Sequence, residues 1–305
     1  MPELPDITVY IEALEKRVAS TRLVKTTLVS AFVLRSVDPP LRALEGRTVT
    51  GLRRLGKRIV FAFEDELFLV LHLMVSGRLR WKDVGAADGK KGAPPKLLLA
   101  RFEFERGTLA FTEAASKKRA SIHVVRGEEG LAQHDRGGLE VLEADRAAFA
   151  ETLARESHTL KRTLTDPTLF SGIGNAYSDE ILHRARLSPM KLSRSLDDEE
   201  LDRLFGATRD VLLEWTARLR DEVGAGFPTK VTAFRDGMAV HGKFGEPCPV
   251  CGTAVQRIVY AENEANYCAR CQTVGKLLAD RALSRLMKQD WPRTVEEMEN
   301  RKRGC

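Results

Sequence analysis

Between Asp6 and Ser20 the apolar positions Ile7, Tyr10, Ile11, Leu14 and Val18 recur at helical spacing, which predicts a first helix close to the N-terminus. Pro5 suits a first helical turn, and Asp6 favours the positive end of the helix dipole. From about residue 21 to residue 127 the pattern turns extended. The runs RLVKTTLV, RTVTGLRRL, KRIVFAFE, ELFLVLHL, KLLLARFEFE, GTLAFTE and SIHVV are separated by turn-like pieces such as Glu64-Asp65 and Arg106-Gly107. Seven short strands at this spacing predict a β-sandwich or a barrel-like sheet pair. The stretch VGAADGKKGAPP, residues 84–95, reads as a flexible loop.

Beyond Asp135-Arg136-Gly137-Gly138 the pattern changes again, and residues 145–222 read as helices. Ser195 with Asp198 three residues on resembles a capping box, and Leu201, Leu204, Phe205, Leu212, Trp215 and Leu219 line one face of the helix that follows. Gly224 to Pro228 breaks the helical block. Residues 240–275 are short-patterned, glycine-rich and hold four cysteines, and a charged tail, 276–305, reads as helical up to about Lys288.

The chain has 305 residues and a hydrophobic fraction of 43%, enough for a packed core, and its formal net charge is +6. Its longest apolar run, Leu67 to Val75, is far short of the ~20 residues of a membrane span. The opening MPELPDITVY has the pattern of neither a secretory signal nor a transit peptide. Five cysteines without an export signal fit a reducing compartment. The expectation is a soluble, cytoplasmic, mildly basic protein (nucleoid-associated if bacterial) with no membrane partner and a monomeric state.

Cys248-Pro-Val-Cys251 and Cys268-Ala-Arg-Cys271 repeat one spacing around an intervening segment long enough for a β-hairpin. Two such knuckles place four thiolates for one tetrahedral Zn²⁺, and with no ligand position left open the metal is expected to be structural. Cys305 reads as an idle thiol. Basic clusters occur at Arg53-Arg54 with Lys57-Arg58 and at Lys117-Lys118-Arg119. Gly172-Ile-Gly-Asn175 precedes a predicted helix, where glycines let backbone N–H groups approach a phosphate. Alone that turn is a weak signal; beside a zinc ribbon and basic clusters it points to nucleic acid.

The N-terminus carries a second chemistry. Proline at position 2 permits removal of Met1, which exposes a secondary amine at the head of a helix. An α-amino group titrates near ~7.7–8.0 against ~10.4 for lysine, so far more of it is neutral at neutral pH. A neutral secondary amine attacks an aldehyde-level carbon and yields an iminium, a strong electron sink. Glu3 stands beside it as a general acid.

Together these segments resemble the formamidopyrimidine-DNA glycosylase/endonuclease VIII family. Met1-Pro-Glu-Leu-Pro-Asp6 is similar to its MPELPE opening, and Leu55-Gly-Lys57 to its RRGK segment. Gly172 to Glu180 is similar to its GxGNxYxxE turn, and His241-Gly-Lys-Phe-Gly-Glu-Pro-Cys248 leads into its zinc finger. The motifs run in order from residue 1 to about 273, leaving only the tail outside. The family's HLGMSG segment reads His72-Leu73-Met74-Val75-Ser76-Gly77 here, and its DPRRFG loop becomes Glu113 to Ala120 with no aromatic wedge. Asn263 stands where the family has a zinc-finger arginine.

The resemblance implies an α+β multidomain fold: an N-terminal helix plus β-sandwich over 1–137, a helix–two-turn–helix domain over 138–238, a zinc β-hairpin finger over 239–275 and a charged tail over 276–305. It implies a bifunctional DNA glycosylase and abasic-site lyase of base-excision repair. In that reading Pro2 is the nucleophile on C1′, Glu3 assists protonation and ring opening, and Lys57 and Asn175 bind phosphates beside the lesion. His72, Met74, Val75, Lys117, Lys118, Arg119 and Asn263 are the further DNA-binding candidates. The ligands of one structural zinc are Cys248, Cys251, Cys268 and Cys271. The partner is double-stranded DNA holding oxidised bases or abasic sites. A non-catalytic relative that recognises damaged DNA and a zinc-ribbon RNA-binding protein are the competing readings.

Overall fold

The computed structural model describes residues 1–85, 95–229, 231, 234–260, 263–278 and 292–303. The expected 84–95 loop and the expected helix up to Lys288 lie largely outside these residues, as does Cys305. The chain separates into two compact units, one of residues 1–137 and 214–232, the other of 138–213 and 233–305.

In the first unit, helix α1 (Leu4–Val18) buries Ile7, Tyr10, Leu14 and Val18, the positions its spacing marks. Eight strands follow: β1 (Leu23–Leu28), β2 (Val49–Leu55), β3 (Arg58–Phe63), β4 (Leu67–His72), β5 (Gly77–Asp83), β6 (Leu98–Phe104), β7 (Gly107–Glu113) and β8 (Ser121–Arg126). They form two four-stranded antiparallel sheets in the orders β1-β6-β7-β5 and β2-β3-β4-β8. The sandwich is as expected, with β5 as an additional strand. Its sequence GRLRWKD turns only Leu79 and Trp81 toward the core, so its apolar signal is thin.

β4 is apolar from Leu67 to Leu71 because it is interior to its sheet and covered on both faces. Leu67, Leu69 and Leu71 enter the sandwich core, while Phe68 and Val70 pack under Leu131 of α2 (Gly127–Ala132). That two-sided burial accounts for the long apolar run without a membrane. No described helix is long and apolar enough to cross one.

The second unit holds α3 (Arg146–Ala154), α4 (Leu160–Thr165), α5 (Asn175–Arg184) and the first part of α6 (Asp198–Val223). The box that starts α6 lies two residues beyond the expected Ser195/Asp198 pair. The Glu200 N–H donates to Asp197 Oδ1 at 2.8 Å and the Asp197 N–H to Glu200 Oε2 at 3.1 Å, whereas Ser195 Oγ donates to the Leu192 carbonyl. A carboxylate at both cap positions does what serine was expected to do.

After α6 come the hairpin β9 (Gln256–Tyr260) and β10 (Asn263–Tyr267), the short helix α7 (Ala269–Thr273) and a last helix α8 (Val295–Arg303). The described part of the tail packs on the hairpin. Leu277 and Val295 join Ile258, Tyr267 and Ala269 in one apolar cluster, and the Leu278 N–H donates to the Tyr267 hydroxyl at 2.8 Å.

Candidate functional site

Helix α1 starts at a reciprocal cap. The Glu3 carboxylate accepts from the Asp6 N–H, and the Glu3 N–H donates to Asp6 Oδ2 at 3.0 Å. Pro2, Glu3 and Asp6 are all buried, with Glu3 only 2% exposed. In the full chain the free amine belongs to Met1, and the Pro2 nitrogen becomes an amine once Met1 is removed. Burial holds this terminal amine below its ordinary value; the Glu3 and Asp6 carboxylates oppose the shift, and Arg78 and Lys57 reinforce it.

Lys57 reaches the same neighbourhood by a different local route. Leu55 of β2 pairs with Arg58 of β3, which leaves Gly56-Lys57 as a two-residue hairpin loop. Gly56 has φ 60°, the left-handed region a tight hairpin requires at that position, and Lys57 rides at the tip. Burial lowers the Lys57 ammonium as well, opposed by Glu3. Two amines and a carboxylate thus share one partly buried neighbourhood, in which burial favours the neutral form of each amine. Arg78 belongs to this group and was not foreseen. Its only sequence signal was its place in the alternating strand β5.

Two loops of the same unit carry the candidates for DNA contact. In the turn after β4, Met74 has φ 51°, a conformation that disfavours side chains, where the family pattern has glycine. The turn closes through the Gly77 N–H to the Leu73 carbonyl at 2.8 Å, and a Cβ on Gly77 would stand 2.2 Å from that oxygen. Met74 is half-buried, whereas Val75 is 59% exposed at the tip. The second loop is gathered around Glu113, which is 1% exposed. Its carboxylate accepts from the N–H of Arg119 at 3.1 Å and of Ala120 at 3.2 Å, and Ser76 Oγ lies at 3.4 Å. Lys117, Lys118 and Arg119 are exposed, with Lys118 Nζ donating to the Glu113 carbonyl. His72 is half-buried at the end of β4. Burial first, then Arg58, Lys57 and His123, push its imidazole down to about 4, so it is neutral at neutral pH.

In the second unit Asn175 is the first residue of α5, directly after the glycine turn in which Gly172 has φ 81°. Lys161 Nζ donates to the Asn175 carbonyl and to Asp179 Oδ1, each at 2.6 Å. Asp179 Oδ2 stands 2.7 Å from His241 Nδ1, so one buried carboxylate ties α4 and α5 to the segment entering the finger. The neighbouring Glu180 accepts from the N–H groups of Ala239, Val240 and His241 at 2.7, 2.9 and 2.9 Å. Glu180 is therefore a clasp on the chain. Burial raises its carboxyl, and the three N–H groups oppose that.

Cys248, Cys251, Cys268 and Cys271 come together with all four sulfurs within 4.8 Å of one another. Cys248 and Cys271 lie 3.9 Å apart and Cys251 and Cys268 3.3 Å. A tetrahedral Zn²⁺ with bonds of about 2.3 Å needs sulfurs roughly 3.8 Å apart, so the donors present fit one structural zinc. His183 is no ligand, but its Nε2 lies 3.3 Å from Cys248 Sγ, the kind of outer contact that orients a metal-bound thiolate. Asn263 opens β10 opposite Tyr260, and its side chain lies outside the described ones.

Three family models match in order along the chain. The formamidopyrimidine-DNA glycosylase N-terminal domain matches residues 1–118, its H2TH domain residues 138–221, and a zinc finger found in FPG and IleRS residues 245–274. The formamidopyrimidine-DNA glycosylase of Symbiobacterium thermophilum is 31% identical over 290 residues, covering 90% of each protein. The crystal structure of the MutM (Fpg) protein from Thermus thermophilus superposes with a TM-score of 0.72 at 31% identity, covering 89% of this chain and 98% of that one. The Lactococcus lactis Fpg in complex with DNA containing an abasic site gives 0.75 at 24% identity, covering 89% and 99%, a likeness of fold.

Proposed function

Because the chain belongs to the formamidopyrimidine-DNA glycosylase family, we propose that it is a bifunctional DNA glycosylase and abasic-site lyase that works through the amine of Pro2. The observation that carries this reading is the capped, buried head of α1. There the Met1 amine, one residue before Pro2, is held below its ordinary value by burial, beside the Glu3 carboxylate. The substrate is double-stranded DNA with an oxidised base or an abasic site, engaged by a monomer.

Removal of Met1 leaves Pro2 with a neutral secondary amine. Its lone pair forms a bond to C1′ of the extruded nucleotide while the C1′–base bond breaks and the base departs. The Glu3 carboxylate takes the proton that the Pro2 nitrogen sheds after attack and delivers it to the ring oxygen as the C1′–O4′ bond breaks, giving an iminium between Pro2 and C1′. The iminium withdraws electrons, so the C2′ proton is lost and the 3′ phosphate leaves. A second elimination expels the 5′ phosphate, and water then hydrolyses the iminium and returns Pro2.

Lys57 and Asn175 hold phosphates beside the lesion. His72, Lys117, Lys118, Arg119 and Asn263 add backbone contacts, and Met74 and Val75 occupy the space left by the extruded nucleotide. The zinc held by the four cysteines keeps the β9–β10 hairpin folded and takes no part in the chemistry.

Incubation with a duplex containing one abasic site tests this reading. Strand cleavage leaving a phosphate on both flanking ends, and a covalent complex on borohydride reduction, are the expected results. Binding of that duplex without cleavage or trapping would favour the non-catalytic relative.

A further inference from the structure

Three of the chain's six histidines gather on one face of one sheet. Arg58 of β3 pairs with His72 of β4, and Val70, two residues before His72, pairs with His123 of β8. Side chains alternate along a strand, so Arg58, His72 and His123 share the face that Val60 and Val70 occupy under α2. His134, just beyond α2, brings its ring to 4.5 Å from that of His123 at an interplanar angle of 60°. All four side chains are half-buried.

The donors of this cluster are uncommitted. Among the described residues, no hydrogen bond or ion pair engages the Arg58 guanidinium or any of the three imidazoles. The charged groups around them are Lys57 from the β2–β3 loop, Arg35 from the segment after β1, and Asp135 and Arg136 following α2. Asp135 is the one carboxylate in that set, and its Oδ1 already accepts from the Gly137 N–H at 2.9 Å. A half-buried cluster of N–H donors in a positive field is built to receive an oxyanion.

We propose that Arg58, His72, His123 and His134 form an oxyanion site on the outer face of this sheet that takes a phosphate of the nucleic-acid backbone. Only His72 belongs to the DNA-contact set above; Arg58, His123 and His134 extend it across the strands to a second phosphate position. The oxyanion site itself is independent of the proposed chemistry, and its assignment to DNA rests on that reading. Burial and then neighbouring positive groups push His123, like His72, down to about 4, and His134 is lowered by burial and Arg58. The imidazoles are therefore neutral when the site is empty, each with one N–H to give. A bound phosphate raises their proton affinity, so binding takes up protons and strengthens as pH falls.

The full-length protein tests this through the histidine ring signals in NMR, followed during titration with an undamaged duplex and separately with inorganic pyrophosphate. The signals of His72, His123 and His134 are expected to move with the duplex, and pyrophosphate to compete with it. The double variant His123→Gln/His134→Gln is expected to bind the undamaged duplex about tenfold more weakly near pH 6, with a smaller loss near pH 8, in line with the loss of charge-assisted hydrogen bonds. Unmoved ring signals, or a double variant with native affinity and pH dependence, would overturn the site. Movement with pyrophosphate alone would overturn the DNA assignment and make the ligand a free polyphosphate. Abasic-site cleavage measured on the same samples separates the two proposals: ring signals that respond in a protein that does not cut retain the oxyanion site and reject the lyase.

Discussion

The backbone N–H of Glu3 donates to the carboxylate of Asp6 at 3.0 Å, and the Glu3 carboxylate in turn accepts from the Asp6 N–H. This exchange does two things at once. It satisfies orphan donors at the head of α1, and it fixes the acid beside the terminal amine in one orientation. Asp6→Ala is expected to destabilise the first unit by about 1 kcal/mol, the usual effect of losing a helix cap. It is also expected to slow abasic-site cleavage by more than it weakens DNA binding, because Glu3 loses its anchor. Thermal melting together with single-turnover cleavage and equilibrium binding checks both parts.

Burial first, opposed by Glu3 and then reinforced by Arg78, lowers the Met1 amine, and the Arg78 charge stands to act in the same sense on the Pro2 amine once Met1 is removed. Cleavage needs the neutral amine, so the rate should rise with pH through the titration of the Pro2 amine. In Arg78→Leu the amine regains protons more readily, and the acid limb of the profile is expected to move to higher pH. A single-turnover pH profile of the two proteins reads this directly. A shift to lower pH, or none, would show that Arg78 does not act on the amine.

Much of this site was legible in the sequence, and the parts that were not have physical reasons. The helix that begins near Pro5 was legible in its apolar spacing and the zinc site in two equal cysteine spacings, whereas the reciprocal cap between Glu3 and Asp6 and the two-residue hairpin at Gly56-Lys57 appear only in the structure. Arg78 was missed because β5 alternates charged and apolar residues and carries little hydrophobic signal. Asp179 and Glu180 were opaque because their partners, Lys161 and the N–H groups of 239–241, are far away in the chain. His123 and His134 carry no shared signal in the sequence, because only strand pairing and the turn after α2 bring their rings together.

The turn after β4 separates two residues that the sequence presents as equivalents. Met74 bears the left-handed backbone and is half-buried, while Val75 is exposed at the tip. Under the proposed function Val75, as the exposed side chain of the turn, is the one to enter the space that an extruded base vacates, and it is short for that task. Val75→Met is expected to raise excision of an intact oxidised base several-fold and to change abasic-site cleavage less, because an abasic site leaves no base to extrude. Met74→Gly is expected to stabilise the turn by about 1 kcal/mol in chemical denaturation, since a non-glycine residue in that region carries a penalty of this size. Equal gains on both substrates from Val75→Met would show that it does not fill the vacated space.

The tail and the zinc site both support one hairpin. Leu277 and Val295 complete an apolar cluster on Ile258, Tyr267 and Ala269, and the four cysteines gather at the open end of the same hairpin, with Cys268 between Tyr267 and Ala269. Chelation is expected to release about one zinc per chain and to weaken DNA binding before the β-sandwich melts, because that sandwich has a core of its own. Truncation after residue 275 is expected to speed zinc loss to a chelator several-fold, measured with a metal indicator dye. Zinc release at the native rate would show that the tail packing does not support the finger.

The central claim is that the secondary amine of Pro2 carries the chemistry. Borohydride reduction of the protein on an abasic duplex, followed by protease digestion and mass spectrometry, locates the adduct. The expected result is a peptide lacking Met1 with the sugar remnant on the Pro2 nitrogen. An adduct on Lys57, or efficient cleavage and trapping by protein that retains Met1, would contradict it.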